Sequence, residues 1–338
     1  MHRMVFHWLS LTLLLCVSPL ALAQPRVVVT LPPLHSLVAG VMGEVAEPEL
    51  LLPGGASPHN YSLRPSDMRA LGNADLLVWV GEDLETFLLN PLENTDTPRL
   101  AVAALEDIRL YPVREGGLWE AHAHDQDDDH GHSHEDEHAH EDEHAHDDEH
   151  DHDDDHGHDD GHAHGDLDLH LWLSPANARI IVTAVAERLA ELDPDHAGTY
   201  RDNAAALDAR LQALDASLSE RLAPVRELPF LVFHDAYQYF ERHYGLAGVG
   251  AITVDPERQP GAGRVREIRQ RLTSHDIACV FAEPQFRPAL VQTLIEDTGA
   301  RSAVLDPLGA ELTPGPEAYF QLLENLGAAL ADCLGAAA

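Results

Sequence analysis

The chain has 338 residues, a formal net charge of −37 and 44% hydrophobic residues. This length allows two domains with sizeable cores, and the apolar content is typical of globular protein. Residues 121–165 contain 19 Asp or Glu and no Lys or Arg, so the rest of the chain carries −18 and is acidic as well. This acidity argues against nucleic acid and anionic membrane surfaces as partners.

Residues 1–23 have the features of an export signal. The apolar segment WLSLTLLLCVSPLALA ends in an A-x-A pattern, with cleavage expected before Gln24. The segment is short and contains Pro19, which favours a cleaved signal over a transmembrane anchor. A lipoprotein signal is disfavoured because Leu15 precedes Cys16, where the lipid-attachment box has a small residue. We therefore expect an exported protein.

Strand and helix patterns alternate along the first half of the chain. RVVVT (26–30) and DLLVWVG (75–81) are predicted as buried strands, and VAEPELLL (45–52) as an extended segment. One helix is predicted over 34–43 and another from Pro65 to about Leu71. Strands that alternate with helices predict a parallel sheet covered on both faces.

Residues 193–225 are predicted to form one helix of about 28 residues, roughly 42 Å long. Leucines recur at helical spacing within it, and Pro224 ends it. Four strand–helix units follow, which predict one compact lobe over 226–338. We therefore expect an α/β protein in which a long helix joins two lobes and limits how far they open.

Residues 121–165 interrupt the first lobe with 15 of the 24 histidines of the chain. The other residues of this tract are Asp, Glu, Gln, Ser, Ala and Gly, which cannot bury enough apolar surface to fold, so we expect it to be disordered. HEDEH occurs twice, at 134–138 and 140–144, and matches the H-E-x-x-H spacing of zinc proteases. Since that motif requires a helix with an apolar face, we attribute the match to composition.

The imidazoles and carboxylates of this His-rich tract are suited to weak, rapidly exchanging binding of Zn²⁺ and other divalent metals. A merely solubilising acidic segment is the alternative, but it does not need histidines. The candidate auxiliary ligands are His122, His124, His130, His132, His134, His138, His140, His144, His146, His150, His152, His156, His158, His162 and His164.

Three other histidines occupy positions typical of a ligand site. His59 lies in a loop after a predicted strand, His170 precedes a helix start, and His234 ends a strand. Ligands of open α/β sheets bind outside the carboxyl ends of the strands. Together with Asp306, which ends another strand, these histidines would form a tetrahedral site suited to Zn²⁺. A single histidine in such a loop more often caps a helix or makes a hydrogen bond in the core. The metal site formed by these residues together is therefore a hypothesis.

Further candidates are weaker. His35, in a loop-to-helix segment, is a spare ligand candidate, and Glu283, at a strand end, is interpreted as a structural partner of Arg or backbone. His196, His243 and His275 are interpreted as exposed helix residues.

Two cysteines, Cys279 and Cys333, remain after removal of the signal. They can form one disulfide in an oxidising compartment, and two free buried thiols are the alternative.

Five segments closely resemble the zinc-binding periplasmic component of bacterial ABC-type zinc importers, the ZnuA type. They are LLPGGASPHNYSLRPSDMRALGNADLLVWVGEDLETFL, DLHLWLSPANAR, FLVFHDAYQYFERHYGL and the pair DPERQPGAGRVREIR and ACVFAEPQFRP. The resemblance runs from about Arg26 to Cys333, apart from the tract. It implies two (β/α)4 lobes, over 24–192 and 226–338, with the linking helix at 193–225 and zinc in the cleft between the lobes.

The resemblance also implies a ligand set. His59, His170 and His234 match the family's zinc ligands. Some members have Glu just before the first of them, where this chain has Pro58, so the fourth position falls to Asp306 or to water. Manganese-binding relatives have a carboxylate in place of His234, and the imidazole here favours zinc. Some members carry a cysteine pair at the positions of Cys279 and Cys333, which implies the disulfide.

The function implied is capture of periplasmic Zn²⁺ and its delivery to a membrane permease, which is driven by a separate ATPase subunit. The chain lacks G-x-x-x-x-G-K-[ST] and is therefore not that ATPase. We expect a monomer. The alternatives are a broader divalent-metal binding protein or buffer and, least favoured, a zinc hydrolase with Glu283 or Asp306 as its base.

Overall fold

The computed structural model describes residues 24–119, 166–253, 260–274, 277–285 and 288–335. Within these ranges, two four-stranded parallel sheets with helices packed against them form two lobes, as predicted. In the same ranges, no helix has the length and apolar character needed to cross a membrane. The predicted signal and the His-rich tract lie outside the described residues.

The sheet of the N-terminal lobe has the strand order β2-β1-β3-β4, and all neighbours are parallel. Its central strand β1 consists of three buried valines, as expected for a strand covered on both faces. The strands are β1 (Val27–Val29), β2 (Glu49–Leu50), β3 (Leu76–Trp79) and β4 (Arg99–Ala101). The helices are α1 (Pro32–Met42), α2 (Pro65–Asn73) and α3 (Leu89–Glu93).

A two-stranded antiparallel ribbon, β5 (Tyr111–Pro112) and β6 (Leu167–Asp168), flanks residues 120–165. The sequence patterns did not predict it, because each strand has only two residues. Helix α4 (Pro175–Leu192) follows. The Ser174 hydroxyl accepts a hydrogen bond from the Asn177 N–H, which caps the helix and fixes the turn just after His170.

Helix α5 (Ala197–Leu222) joins the lobes and is flanked by short 3-10 turns at Pro194–His196 and Ala223–Val225. Its buried face packs against α4 and α1 and against the last helix of the chain. The linking helix is therefore part of the core along its length.

The sheet of the C-terminal lobe has the strand order β10-β9-β7-β8, again parallel. Its strands are β7 (Phe230–Val232), β8 (Gly248–Ala251), β9 (Cys279–Ala282) and β10 (Arg301–Val304). Its helices are α6 (Gln238–Tyr244), α7 (Ala262–Ser274), α8 (Pro288–Ile295) and α9 (Ala318–Gly335). A disulfide joins Cys279 to Cys333, which confirms the expected pairing and fastens α9 to the start of β9.

One continuous apolar core runs through both lobes, from β1 and α1 through α5 to β7, β9 and α9. A smaller cluster fills the C-terminal lobe between β9, α7 and α8.

Buried hydrogen bonds also cross between the lobes. Trp172 Nε1 donates to the Pro307 carbonyl at 2.8 Å, and the Tyr319 hydroxyl donates to the Trp172 carbonyl at 2.7 Å. The Tyr319 N–H donates to the Ser36 hydroxyl at 2.9 Å. Large opening of the cleft would break these bonds.

Candidate metal centre

Three histidines converge at the carboxyl ends of the strands, between the lobes. His59 lies in the loop between β2 and α2, His170 follows β6, and His234 follows β7. Each offers one ring nitrogen, and these nitrogens lie within 4.8 Å of one another. The Nε2 atoms of His170 and His234 are 3.4 Å apart. Among the described residues, these three histidines are the one group of histidine, cysteine or carboxylate side chains placed closely enough to hold a metal ion.

A carboxylate orients each of the two most buried imidazoles. His170 Nδ1 lies 2.8 Å from Asp168 Oδ1, and His234 Nδ1 lies 2.7 Å from Glu283 Oε1. Since a carboxylate only accepts hydrogen bonds, each Nδ1 carries the proton and each Nε2 presents its lone pair to the centre of the group. Glu283, interpreted from the sequence as a partner of arginine or backbone, accepts the backbone N–H of His234 and also faces its ring.

The charge of Glu283 also affects protonation. Burial alone would lower the pKa of His234, but the charge and hydrogen bond of Glu283, together with the charges of Asp235 and Asp168, outweigh it and raise the pKa above its usual value. Below that pKa, Nε2 carries a second proton, which a bound metal ion has to displace, so acid competes with metal at this position.

Asp306 does not join the three histidines. Its Oδ1 accepts the N–H groups of Leu308 and Gly309 at 3.0 and 2.9 Å, and its Oδ2 accepts the N–H of Ala310 at 2.6 Å. Both oxygens therefore cap the turn after β10 and shape the wall of the cleft. Asp306 is thus a turn residue outside the group of three histidines, and its role as a fourth ligand stays a prediction.

The remaining candidate histidines lie elsewhere. His35 is buried in α1, and its Nε2 lies 2.9 Å from the Pro48 carbonyl oxygen. His196 and His243 are exposed, as expected. His275 and the fifteen histidines of the tract lie outside the described residues.

A small cavity of ≈ 20 Å³ lies beside the three histidines and is also lined by Trp172 and Glu283. That volume is enough for about one water-sized occupant.

The β5–β6 ribbon reaches the C-terminal lobe next to this site. Arg114 Nε donates to Asp235 at 2.9 Å, and its other nitrogens donate to Asp235 and Glu241. The guanidinium also stacks on the Trp119 ring at 3.4 Å. Asp235 directly follows His234, so this buried ion cluster connects the base of the tract to the loop that carries a candidate ligand.

Sequence reasoning did not assign Asp168, and it did not predict the contact between Glu283 and the ring of His234. The Asp-x-His spacing at 168–170 was a usable signal, because a side chain two positions away can reach the histidine ring. The pairing of Glu283 with His234 joins residues 49 apart and depends on β7 and β9 being neighbours, which the strand pattern alone does not fix.

The chain matches the model of the family described as ZnuA, zinc-uptake complex component A periplasmic, over residues 27–333. A high-affinity zinc uptake system protein ZnuA of Brucella abortus (strain 2308) is 47% identical over 321 residues, which is 94% of each chain. Proteins of the same description from Paracoccus denitrificans (strain Pd 1222) and Yersinia pestis are 44% and 37% identical, over 92% and 95% of each chain.

Solved structures share the fold. A crystal structure of ZnuA has a TM-score of 0.70 at 24% identity and covers 92% of this chain and 100% of its own. FpvC from Pseudomonas aeruginosa, solved in complex with Mn²⁺, has a TM-score of 0.71 at 20% identity and covers 94% and 100%. The family match spans nearly all of the described chain, and the chain therefore belongs to the ZnuA family of periplasmic zinc-uptake components.

Proposed function

We propose that this chain is the zinc-binding component of an ABC-type zinc uptake system, which captures Zn²⁺ in the periplasm and delivers it to a membrane permease. The observation that carries the proposal is the group of three imidazoles in the interlobe cleft. The relatives named above carry zinc uptake in their descriptions, which supports the same cargo here.

The spacing of the ring nitrogens suits zinc. Zn–N bonds of about 2.0–2.1 Å in a tetrahedron place two nitrogens about 3.4 Å apart. The Nε2 atoms of His170 and His234 are separated by 3.4 Å. His59 then supplies the third ligand, and a small movement of its loop shortens the longer distances. The fourth position takes a water, because the turn after β10 occupies both oxygens of Asp306.

The proposed task is capture and delivery without bond chemistry. The cavity beside the histidines has room for about one water-sized occupant. We therefore expect the zinc-loaded protein to show no turnover of ester, peptide or phosphate substrates. A reproducible kcat that is lost with His234→Ala would contradict this.

The interlobe hydrogen bonds bear on release. Since they hold the lobes together, the ion is released by rearrangement of the loops that carry the ligands, after the protein docks on the permease as a monomer. The His-rich tract collects Zn²⁺ weakly and raises its concentration near the cleft.

Zinc titration of the mature protein lacking 121–165 tests the site. Val113 N–H donates to the Asp166 carbonyl at 3.0 Å, so a short linker can close the shortened ribbon. One tight site should survive, and His170→Ala should weaken it by orders of magnitude. The exposed His196→Ala is the matched control and should bind as the parent does.

Two results would refute the assignment. Loss of tight binding in the deletion variant would place the site in the tract. An equal loss of zinc affinity in His170→Ala and His196→Ala would refute the assignment of the site to the cleft. Deletion of the gene should also impair growth under zinc limitation, and added zinc should restore it.

A further inference from the structure

Asp168 and Glu283 make the same unusual contact in two different lobes. Asp168 Oδ1 accepts both the ring Nδ1–H and the backbone N–H of His170, at 2.8 and 3.0 Å. Glu283 Oε1 accepts the ring Nδ1–H and the backbone N–H of His234, at 2.7 and 3.4 Å. One oxygen thus fixes both the ring and the main chain of each histidine.

The two carboxylates reach their histidines by unrelated routes. Asp168 belongs to β6 and lies two residues before its partner, whereas Glu283 follows β9 and lies 49 residues after its partner. A turn motif would explain one contact but not both. The shared feature is the histidine ring and the direction in which it points.

Both carboxylates are buried, with 5% of Asp168 and 2% of Glu283 exposed. Their second oxygens, Asp168 Oδ2 and Glu283 Oε2, have no hydrogen-bond partner in the described part of the chain. Burial of a half-satisfied carboxylate costs free energy unless a positive charge lies nearby. Three neutral imidazoles add no charge to a divalent cation, so a cation among them carries +2 and two adjacent carboxylates balance it.

We propose that Asp168 and Glu283 are positioning residues of the zinc site, which hold the Nε2 atoms of His170 and His234 toward the ion and together supply its countercharge. This inference rests on the proposed zinc-binding function. Hydrogen bonds of this kind fix the tautomer and the ring orientation and make the imidazole a stronger ligand.

The test uses the full mature chain and Zn²⁺ itself. Asp168→Asn and Glu283→Gln keep the shape of each side chain and remove its charge. Zinc affinity is measured by competition with a chelator strong enough to empty the tract, and zinc release by mixing with excess EDTA. Each substitution should raise Kd by about 10–100-fold and speed the slow phase of release.

Glu85→Gln is the matched control. Glu85 is fully buried and accepts hydrogen bonds from Thr30 and from the N–H groups of Val80 and Gly81, none of which is a ligand candidate. Burial raises the pKa of Glu85 to about 7, so a neutral glutamine is a close substitute. Zinc affinity and release should be unchanged in this variant. An equal loss in Glu85→Gln would show a general effect of buried carboxylates and overturn the inference.

Nitrogen-15 NMR of the zinc-loaded wild-type chain gives a readout that does not depend on any variant folding. His170 and His234 should each show a protonated Nδ1 and a metal-bound Nε2. Ligation through Nδ1 would overturn the inference, as would wild-type affinity in both carboxylate variants.

Failure of the proposed function has a different signature. A wild-type chain without a tight site, or a His234→Ala variant that binds zinc as tightly as wild type, would refute the function itself. Tight wild-type binding that depends on His234 but not on Asp168 or Glu283 would refute only the positioning role.

Discussion

The loop that carries His59 contacts the opposite lobe at Gly54. The importance of this contact for zinc binding can be tested with Gly54→Ala, which adds one methyl group. A Cβ built on Gly54 would lie 2.3 Å from the Ala310 carbonyl oxygen, where ordinary contacts begin at 3.4 Å. In Gly54→Ala the two atoms therefore have to separate by about 1.1 Å. Gly54 does not need a left-handed backbone, so the methyl group acts through this contact and not through strain of the main chain.

Both ways of relieving the contact disturb the site. Either the loop moves and takes His59 with it, or the turn capped by Asp306 moves outward with its lobe. Metal–ligand distances tolerate only about 0.2 Å, and a displacement near 1 Å costs on the order of 10-fold to 100-fold where geometry matters. We expect Gly54→Ala to raise the Kd for zinc by about 10-fold or more, measured by chelator competition.

Gly72→Ala is the control, because Gly72 lies in α2 of the same lobe with open space around it. It should leave zinc affinity unchanged and stabilise the helix by roughly 0.5–1 kcal/mol. Wild-type affinity in Gly54→Ala would show that the loop adapts freely, and the reasoning from the contact would then be wrong.

Three further predictions concern acid, the disulfide and the ion cluster. Zinc affinity should fall as the pH is lowered. Because the pKa of His234 is raised, the fall should begin at a pH above the usual histidine pKa. An unchanged zinc Kd between pH 8 and 5 would contradict this. Cys333→Ser opens a 54-residue loop and should lower the free energy of unfolding by about 4 kcal/mol, with zinc affinity retained at low temperature. Arg114→Ala leaves Asp235 and Glu241 without their cation and should destabilise the protein by about 3–5 kcal/mol in denaturant titration. Arg201→Ala, which removes an exposed ion pair, should change the stability far less in the same assay.

Much of the architecture could be predicted from sequence because the signals are local. Three consecutive valines predict the buried strand β1, and leucines at helical spacing predict the helix α5. Neither prediction requires knowledge of which segments pack against these elements. The same holds for His234, since a histidine that directly follows a buried strand must lie at the sheet edge where ligands bind.

The parts that could not be predicted depend on contacts between distant segments. The β5–β6 ribbon consists of two-residue strands separated by the tract. Strands this short have no periodic pattern from which they could be predicted. Asp306 ends a strand as Glu283 does, and sequence position cannot tell that the first caps a turn while the second faces an imidazole. The choice between them is made by the path of the backbone after each strand.

The apolar core that continues through both lobes has a consequence for folding. Because α5 packs against α1 and α4 of the N-terminal lobe and against α9 of the C-terminal lobe, neither lobe can bury all of its apolar surface without the other. The two lobes are therefore expected to unfold in a single cooperative transition, although the sequence divides them clearly. Genes encoding the halves separately are therefore expected to yield chains with large exposed apolar faces.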